Sequence, residues 1–205
     1  MTMGTFLISL VMVFIWTSLD HSVAGRKPAS AYAKDQTEQV SQVDPALAMK
    51  DYQYSAVVPE RVKAFIRIYN SKMLDEDMEL LIQSTVSTSE SQNIDPLLMF
   101  ALMARESAFN PKAKSSTGAM GLGQIKPFNY SALNISDPTQ IDQGARGTVL
   151  YFGQMLKPWK THPRPIQMAL ASYKEGYGAV SRSGGQYSAE TNQYIQDILK
   201  LRGQI

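Results

Sequence analysis

A chain of 205 residues, 44% hydrophobic and 19% charged, has the composition of one globular domain with appendages. Its net charge of +2 is too small to argue for a nucleic-acid partner. The absence of cysteine excludes disulfides, thiolate metal sites and an acylated-cysteine anchor, and the two histidines, His21 and His162, are too distant in sequence to suggest a ligand cluster.

The chain opens on an export or membrane signal. Met1 to Leu19 carries no charged side chain, and Phe6 to Trp16 is strongly apolar. Ser22-Val23-Ala24 places small residues where signal-peptide cleavage needs them. The same uncharged run is also long enough for an uncleaved span. Arg26 and Lys27 just beyond it would, taken alone, keep the following chain in the cytoplasm. Both readings of residues 1–24, cleaved signal peptide and retained membrane anchor, stay open. Residues 25–55 read as a linker: polar, rich in Ala, Ser, Gln and Asp, and without sustained periodicity.

Packing signals begin near Val57. Pro59 opens a helix in which Val62, Phe65, Ile66 and Tyr69 fall on one face. A second helix is predicted over Asp75 to Gln92, with Met78, Leu81, Ile82 and Val86 inward, although its Ser/Thr-rich end is a weak helix former. The third begins at Asp95-Pro96, an N-cap followed by a proline suited to the first helical position. From Leu97 to Ala104 nearly every residue is apolar, so this helix is expected to be buried on most faces. Glu106 then falls in its last turn, before Asn110-Pro111 and the glycine-rich loop Thr117-Gly118-Ala119-Met120-Gly121-Leu122-Gly123-Gln124.

A carboxyl at the end of a buried helix is a candidate general acid. Apolar surroundings and the partial negative charge of a helix C-terminus both disfavour its ionised form. A carboxyl that stays protonated near neutral pH can donate a proton to a leaving oxygen. Spacing alone favours a plain solvated acid at the helix end.

Downstream, Asp137-Pro138 marks a turn and Ile141 to Lys157 reads as a helix with Ile141, Ala145, Val149, Phe152 and Leu156 as its apolar stripe. Asp142 is either a second carboxylate or an N-terminal helix charge. After a three-proline loop, Pro165 to Tyr173 forms the next helix, and Ser188 caps a last one that contains Tyr194. Ser183 to Gln186 reads as a loop. The fold class is therefore mainly α over residues 56–205.

The run Ala104 to Pro127 resembles the signature of the soluble lytic transglycosylase (SLT) domain family. The matching blocks are Glu106-Ser107, Phe109-Asn110-Pro111 and Gly118-Ala119-Met120-Gly121-Leu122-Gly123-Gln124. Further blocks resemble the family at Ile141 to Ala145, at Tyr173, Gly176, Gly178 and Val180, and at Glu190-Thr191 with Tyr194. The resemblance implies a lysozyme-like fold. It further implies cleavage of the β-1,4 bond between N-acetylmuramic acid and N-acetylglucosamine, with a 1,6-anhydro product and no metal or cofactor. On that resemblance Glu106 is the catalytic acid, and Ser107, Gln124, Tyr173, Lys174 and Tyr194 bind substrate. Lys174 stands where the family carries asparagine. Gly123 stands where it carries methionine, which would remove one apolar wall of the groove.

The expected partner is the peptidoglycan glycan strand, outside the cytoplasm in the periplasm or cell envelope. An envelope-spanning machine and a membrane anchor are further partners left open. Two alternatives remain beside the transglycosylase. One is a hydrolase like goose-type lysozyme, for which Asp142 or Glu175 would supply a second carboxylate. The other is a non-catalytic wall-binding module.

Overall fold

The computed structural model of the protein describes residues 58–205. The signal or anchor expected over residues 1–24 and the linker over 25–55 lie outside the described residues. Among the described residues, no helix is long and apolar enough to cross a membrane.

Helix α1 covers 58–69, with Val62, Phe65 and Ile66 buried as the periodicity requires. Helix α2 (Asp75–Gln92) carries Asp75, Glu76 and Asp77 in its first turn, where they offset the helix dipole. It runs through the Ser/Thr-rich stretch without a break. Thr85 and Thr88 turn their hydroxyls back onto the carbonyls of Leu81 and Ser84 (both 2.7 Å), and Thr85 and Ser89 are buried. Packing thus overrides weak propensity there.

Helix α3 (Pro96–Ser107) is the axis of the domain. Its start is set by Asp95, whose side chain accepts from the Leu97 amide at 2.9 Å. Leu98 through Ala104 are all buried, so three neighbours must cover it. These are α2, α4 (Ile141–Leu156) and α7 (Ala189–Arg202), the last capped by Ser188 through the Thr191 amide. Two ion pairs fasten α7 along α3: Arg202 to Asp95 at 2.8 Å near one end and Arg105 to Asp197 at 3.2 Å near the other.

The end of α3 is sharply turned. Ala108 (φ 49°) and Phe109 (φ 57°) both adopt left-handed backbone, which costs about 1 kcal/mol or more at each non-glycine residue. The structure holds this turn from α1. Phe109 is fully buried with its ring edge-on to Phe65 (5.9 Å) and near Tyr69 (6.4 Å), and the Asn70 amide donates to the Phe109 carbonyl at 3.0 Å. Helix α1 is therefore a brace for the residues that follow Glu106.

The glycine-rich loop forms isolated antiparallel bridges, Lys114 with Met120 and Met120 with Ile125, rather than a hairpin. Gly121 (φ 78°) needs its lack of a side chain, since a Cβ there would lie 2.3 Å from the Pro138 carbonyl oxygen. Short 3-10 turns follow at Pro127–Asn129 and Ser131–Leu133. Helix α5 (Pro165–Glu175) runs two residues beyond the expected end, which puts Lys174 in its last turn. Helix α6 (Tyr177–Arg182) was not expected from the sequence, where two glycines weaken the signal.

Candidate active site

Glu106 reaches a cleft of about 320 Å³ from the last turn of α3. Arg105, Ser115, Thr117, Gln124, Lys126, Tyr151, Tyr173, Lys174 and Tyr194 line the cleft with it. Four of the six site residues expected from the sequence thus share one space: Glu106, Gln124, Tyr173 and Tyr194. Lys174 joins them at the rim, and Ser107 does not.

Glu106 is held by its neighbours rather than by solvent. Burial pushes its carboxyl above the usual carboxylate range, and the Tyr194 hydrogen bond, Arg105 and Lys174 offset only part of that rise. The Tyr194 hydroxyl donates to Glu106 Oε1 at 2.5 Å. The phenol is itself pushed well up, first by burial and then by the Glu106 charge, so it stays a donor across neutral pH. Two cations lie against the Tyr194 ring: the Arg105 guanidinium at 5.5 Å and Lys174 Nζ at 5.3 Å.

Tyr194→Phe removes the donor that favours the charged form of Glu106. The expected result is a further rise in the Glu106 pKa, with the alkaline limb of kcat/KM moving to higher pH and turnover near neutrality falling about tenfold as the carboxyl loses its anchor. An unmoved alkaline limb would remove Tyr194 from this role.

The opposite wall is built from the glycine loop. Ser107 ties that loop to α3, its hydroxyl lying 2.8 Å from the Leu122 carbonyl oxygen and 3.1 Å from that of Met103. It therefore positions the wall from behind rather than lining the cleft. Gln124 adopts left-handed backbone (φ 49°), and its amide nitrogen donates to the carbonyls of Ala113 (3.1 Å) and Gly121 (3.0 Å). That leaves the amide oxygen as the group available to a ligand. The Tyr173 hydroxyl donates to the Gly123 carbonyl at 2.7 Å, and its ring meets Tyr151 at 4.8 Å.

Gly123 corrects a sequence expectation. A Cβ there would lie 2.2 Å from Thr148 Oγ1 and 2.7 Å from the Tyr173 hydroxyl. The position faces α4 and Tyr173, and the glycine makes room for Thr148; it does not strip a wall from the cleft.

Lys174 pairs with Glu190 at 2.9 Å. Asp142 lies 4.0 Å from Arg146 one turn along α4, and Glu175 accepts from the Ser188 amide (3.0 Å) and hydroxyl (2.9 Å). Hydrogen bonds from the Thr191 side chain and the Ser188 backbone hold the Glu175 carboxyl below the usual range. Neither acid lines the cleft; among the described residues Glu106 is the one carboxylate that does. Sequence reasoning missed Arg105, Tyr151, Ser115, Thr117 and Lys126. Tyr151 lay off the apolar stripe of its helix, an aromatic on a polar flank, and that signal could have marked it.

The family model described as Transglycosylase SLT domain matches residues 84–196, more than half of the chain. Curated relatives include two proteins named membrane-bound lytic murein transglycosylase F. The one from Sodalis glossinidius is 36% identical over 90 residues, which cover 42% of this chain and 19% of the relative. The one from Vibrio cholerae is 36% identical over 91 residues, covering 43% of this chain and 17% of the relative. The chain therefore spans under a fifth of the length of these relatives. Among solved structures, an inactive mutant of the lytic transglycosylase Slt from Pseudomonas aeruginosa superposes with a TM-score of 0.50 at 23% identity, covering 58% of this chain and 23% of that one. That likeness supports the mainly α, lysozyme-like fold.

Proposed function

The chain belongs to the transglycosylase SLT domain family, and from that premise we propose that it is a lytic transglycosylase acting on peptidoglycan. The observation that carries the reading is Glu106: a carboxyl whose pKa burial raises, hydrogen-bonded by Tyr194, and facing a cleft lined by no second carboxylate among the described residues.

In the proposed reaction, protonated Glu106 donates to the oxygen that links muramic C1 to the next glucosamine. The C1–O bond breaks, and the glucosamine leaves as an alcohol. The substrate's own N-acetyl carbonyl stabilises the positive charge at C1. Glu106, now a carboxylate, takes the proton of the muramic C6 hydroxyl as O6 bonds to C1. The product is a 1,6-anhydro sugar, Glu106 ends protonated, and no water is consumed. Gln124 offers its amide oxygen to a sugar hydroxyl or amide. Tyr173 orders the Gly123 wall, Tyr194 aims the acid, and Lys174 sits at the rim beside Tyr194.

A hydrolase of the inverting kind needs a second carboxyl roughly 6.5–9.5 Å from the acid to activate water. The placement of Asp142 and Glu175 outside the cleft gives that reading no support. Digestion of purified sacculi followed by mass spectrometry of the released fragments tests the proposal. Anhydro-muramic ends are expected, and reducing muramic ends or no release would overturn it.

The substrate class places the domain in the cell envelope. On this reading residues 1–24 export or anchor the chain, 25–55 tether it, and 56–205 cut. A reporter fused after Lys34 is expected to face the outside of the cytoplasmic membrane, and retention in the cytoplasm would contradict that placement.

A further inference from the structure

Helix α7 carries three residues bound up with the acid on one face. Glu190, Tyr194 and Asp197 follow at i, i+4 and i+7, so an acid stands about one turn to either side of the phenol that holds Glu106. Each acid holds one cation. Asp197 pairs with Arg105 from α3 at 3.2 Å, and Glu190 pairs with Lys174 from α5 at 2.9 Å. Both cations lie against the Tyr194 ring and line the cleft, whereas neither acid lines it. Among the described residues, neither cation forms an ion pair with Glu106.

The two cations differ in what fixes them. Arg105 adjoins Glu106 on the same helix, and consecutive helical residues point to different faces. Lys174 comes from another helix, on a flexible four-carbon stem. Its ammonium is placed by the Tyr194 ring and by Glu190. The other titratable groups around Glu106 offer it no anion: Tyr173 from α5 and Tyr151 from α4 are phenols, and Lys126 from the glycine loop is a cation. Glu175, next to Lys174 in sequence, is occupied by the Ser188 amide and hydroxyl. Without Glu190, the anion left to the ammonium on the cleft side is ionised Glu106, whose charged form Lys174 already favours from its present position.

We propose that Glu190 is a positioning residue for Glu106: by tethering Lys174 over the Tyr194 ring, it keeps the ammonium from closing onto the carboxyl, so that Glu106 retains its proton for the glycosidic oxygen. This rests on Glu106 as the acid of the proposed reaction. Lysine at 174, where the family carries asparagine, is what gives Glu190 this role.

The test follows the Glu106 carboxyl directly, by carbon-13 NMR titration of the full chain labelled at its glutamate carboxyls, with the signal assigned by its loss in Glu106→Gln. At low salt Glu190→Gln is expected to lower the Glu106 midpoint by about half a pH unit, and Lys174→Asn to raise it by a similar amount. The side chains of Lys174 and Glu190 are 30% and 82% exposed, which keeps both effects below the roughly 1–3 units of a close buried charge. The double variant Glu190→Gln/Lys174→Asn is expected to match Lys174→Asn, because Glu190 acts through the lysine. The alkaline limb of kcat/KM on sacculi is expected to move with each midpoint. A Glu190→Gln midpoint that stays put or rises, or an equal lowering when residue 174 is already asparagine, would overturn the proposal. The titration needs no turnover. The expected midpoints in a chain that releases no wall fragments would therefore overturn the transglycosylase reading and leave the tether standing.

Discussion

Glu106→Gln is expected to reduce the release of wall fragments about a thousandfold or more while leaving the fold intact. The amide is the same size as the carboxyl but neither delivers nor accepts the proton, and general acid–base catalysis contributes on the order of a hundred- to ten-thousand-fold. A stability effect of the opposite sign accompanies the loss. The folded-state pKa of Glu106 is raised above its unfolded value. The wild type therefore holds its full stability below the unfolded pKa and loses part of it as pH rises through the folded one. Glutamine has no such loss. The variant is expected to melt above the wild type at pH 8, with the gap closing near pH 4. Activity within a few-fold of wild type would remove Glu106 from the mechanism. A melting difference that does not change with pH would show that the carboxyl carries no burial penalty.

Gly123→Ala is expected to cost about 2–3 kcal/mol, and the methionine typical of the family is expected to cost more. A Cβ at this position meets Thr148 Oγ1 at 2.2 Å, the Tyr173 hydroxyl at 2.7 Å and Thr148 Cγ2 at 2.8 Å. Overpacking of a filled site typically costs about 1–3 kcal/mol. In a domain of this size that corresponds to a melting temperature lowered by roughly 5–10 °C. The Tyr173 hydroxyl, displaced from the Gly123 carbonyl, would take the cleft wall with it, so activity falls as well. Thr148→Ala removes two of the three clashing atoms. The double variant Gly123→Ala/Thr148→Ala is therefore expected to recover much of the loss, a non-additivity of at least about 1 kcal/mol between residues in contact. Strictly additive melting shifts would mean that Thr148 is not what keeps residue 123 a glycine.

These two residues mark the limits of what the sequence discloses. The helix that carries Glu106 was legible because its signals are local: a capping Asp95, Pro96 at the first position, and an apolar run that ends where the acid begins. The burial of Glu106 did not follow from that run alone, which left a solvated helix-end acid open. Gly123 was misread because its neighbours come from α4 and α5, and spacing along the loop contains nothing about either. Ser107 adjoins the acid in sequence, yet consecutive helical residues point to different faces, and its hydroxyl fell to the loop behind the cleft. Lys126 and Tyr151 became part of the site only when the loop was folded against α4. Helix α1 looked like plain scaffold. Its work on the left-handed turn at Ala108 and Phe109 depends on aromatic contacts across about forty residues of sequence.

In the proposed reaction, Glu106 directs attack by the substrate's own C6 hydroxyl rather than by water. Digesting sacculi in water labelled with heavy oxygen tests it most directly, with the released muropeptides weighed by mass spectrometry. The expected fragments are one water lighter than hydrolysed ones and carry no heavy oxygen at the muramic end. Reducing muramic ends that contain heavy oxygen at C1 would contradict it.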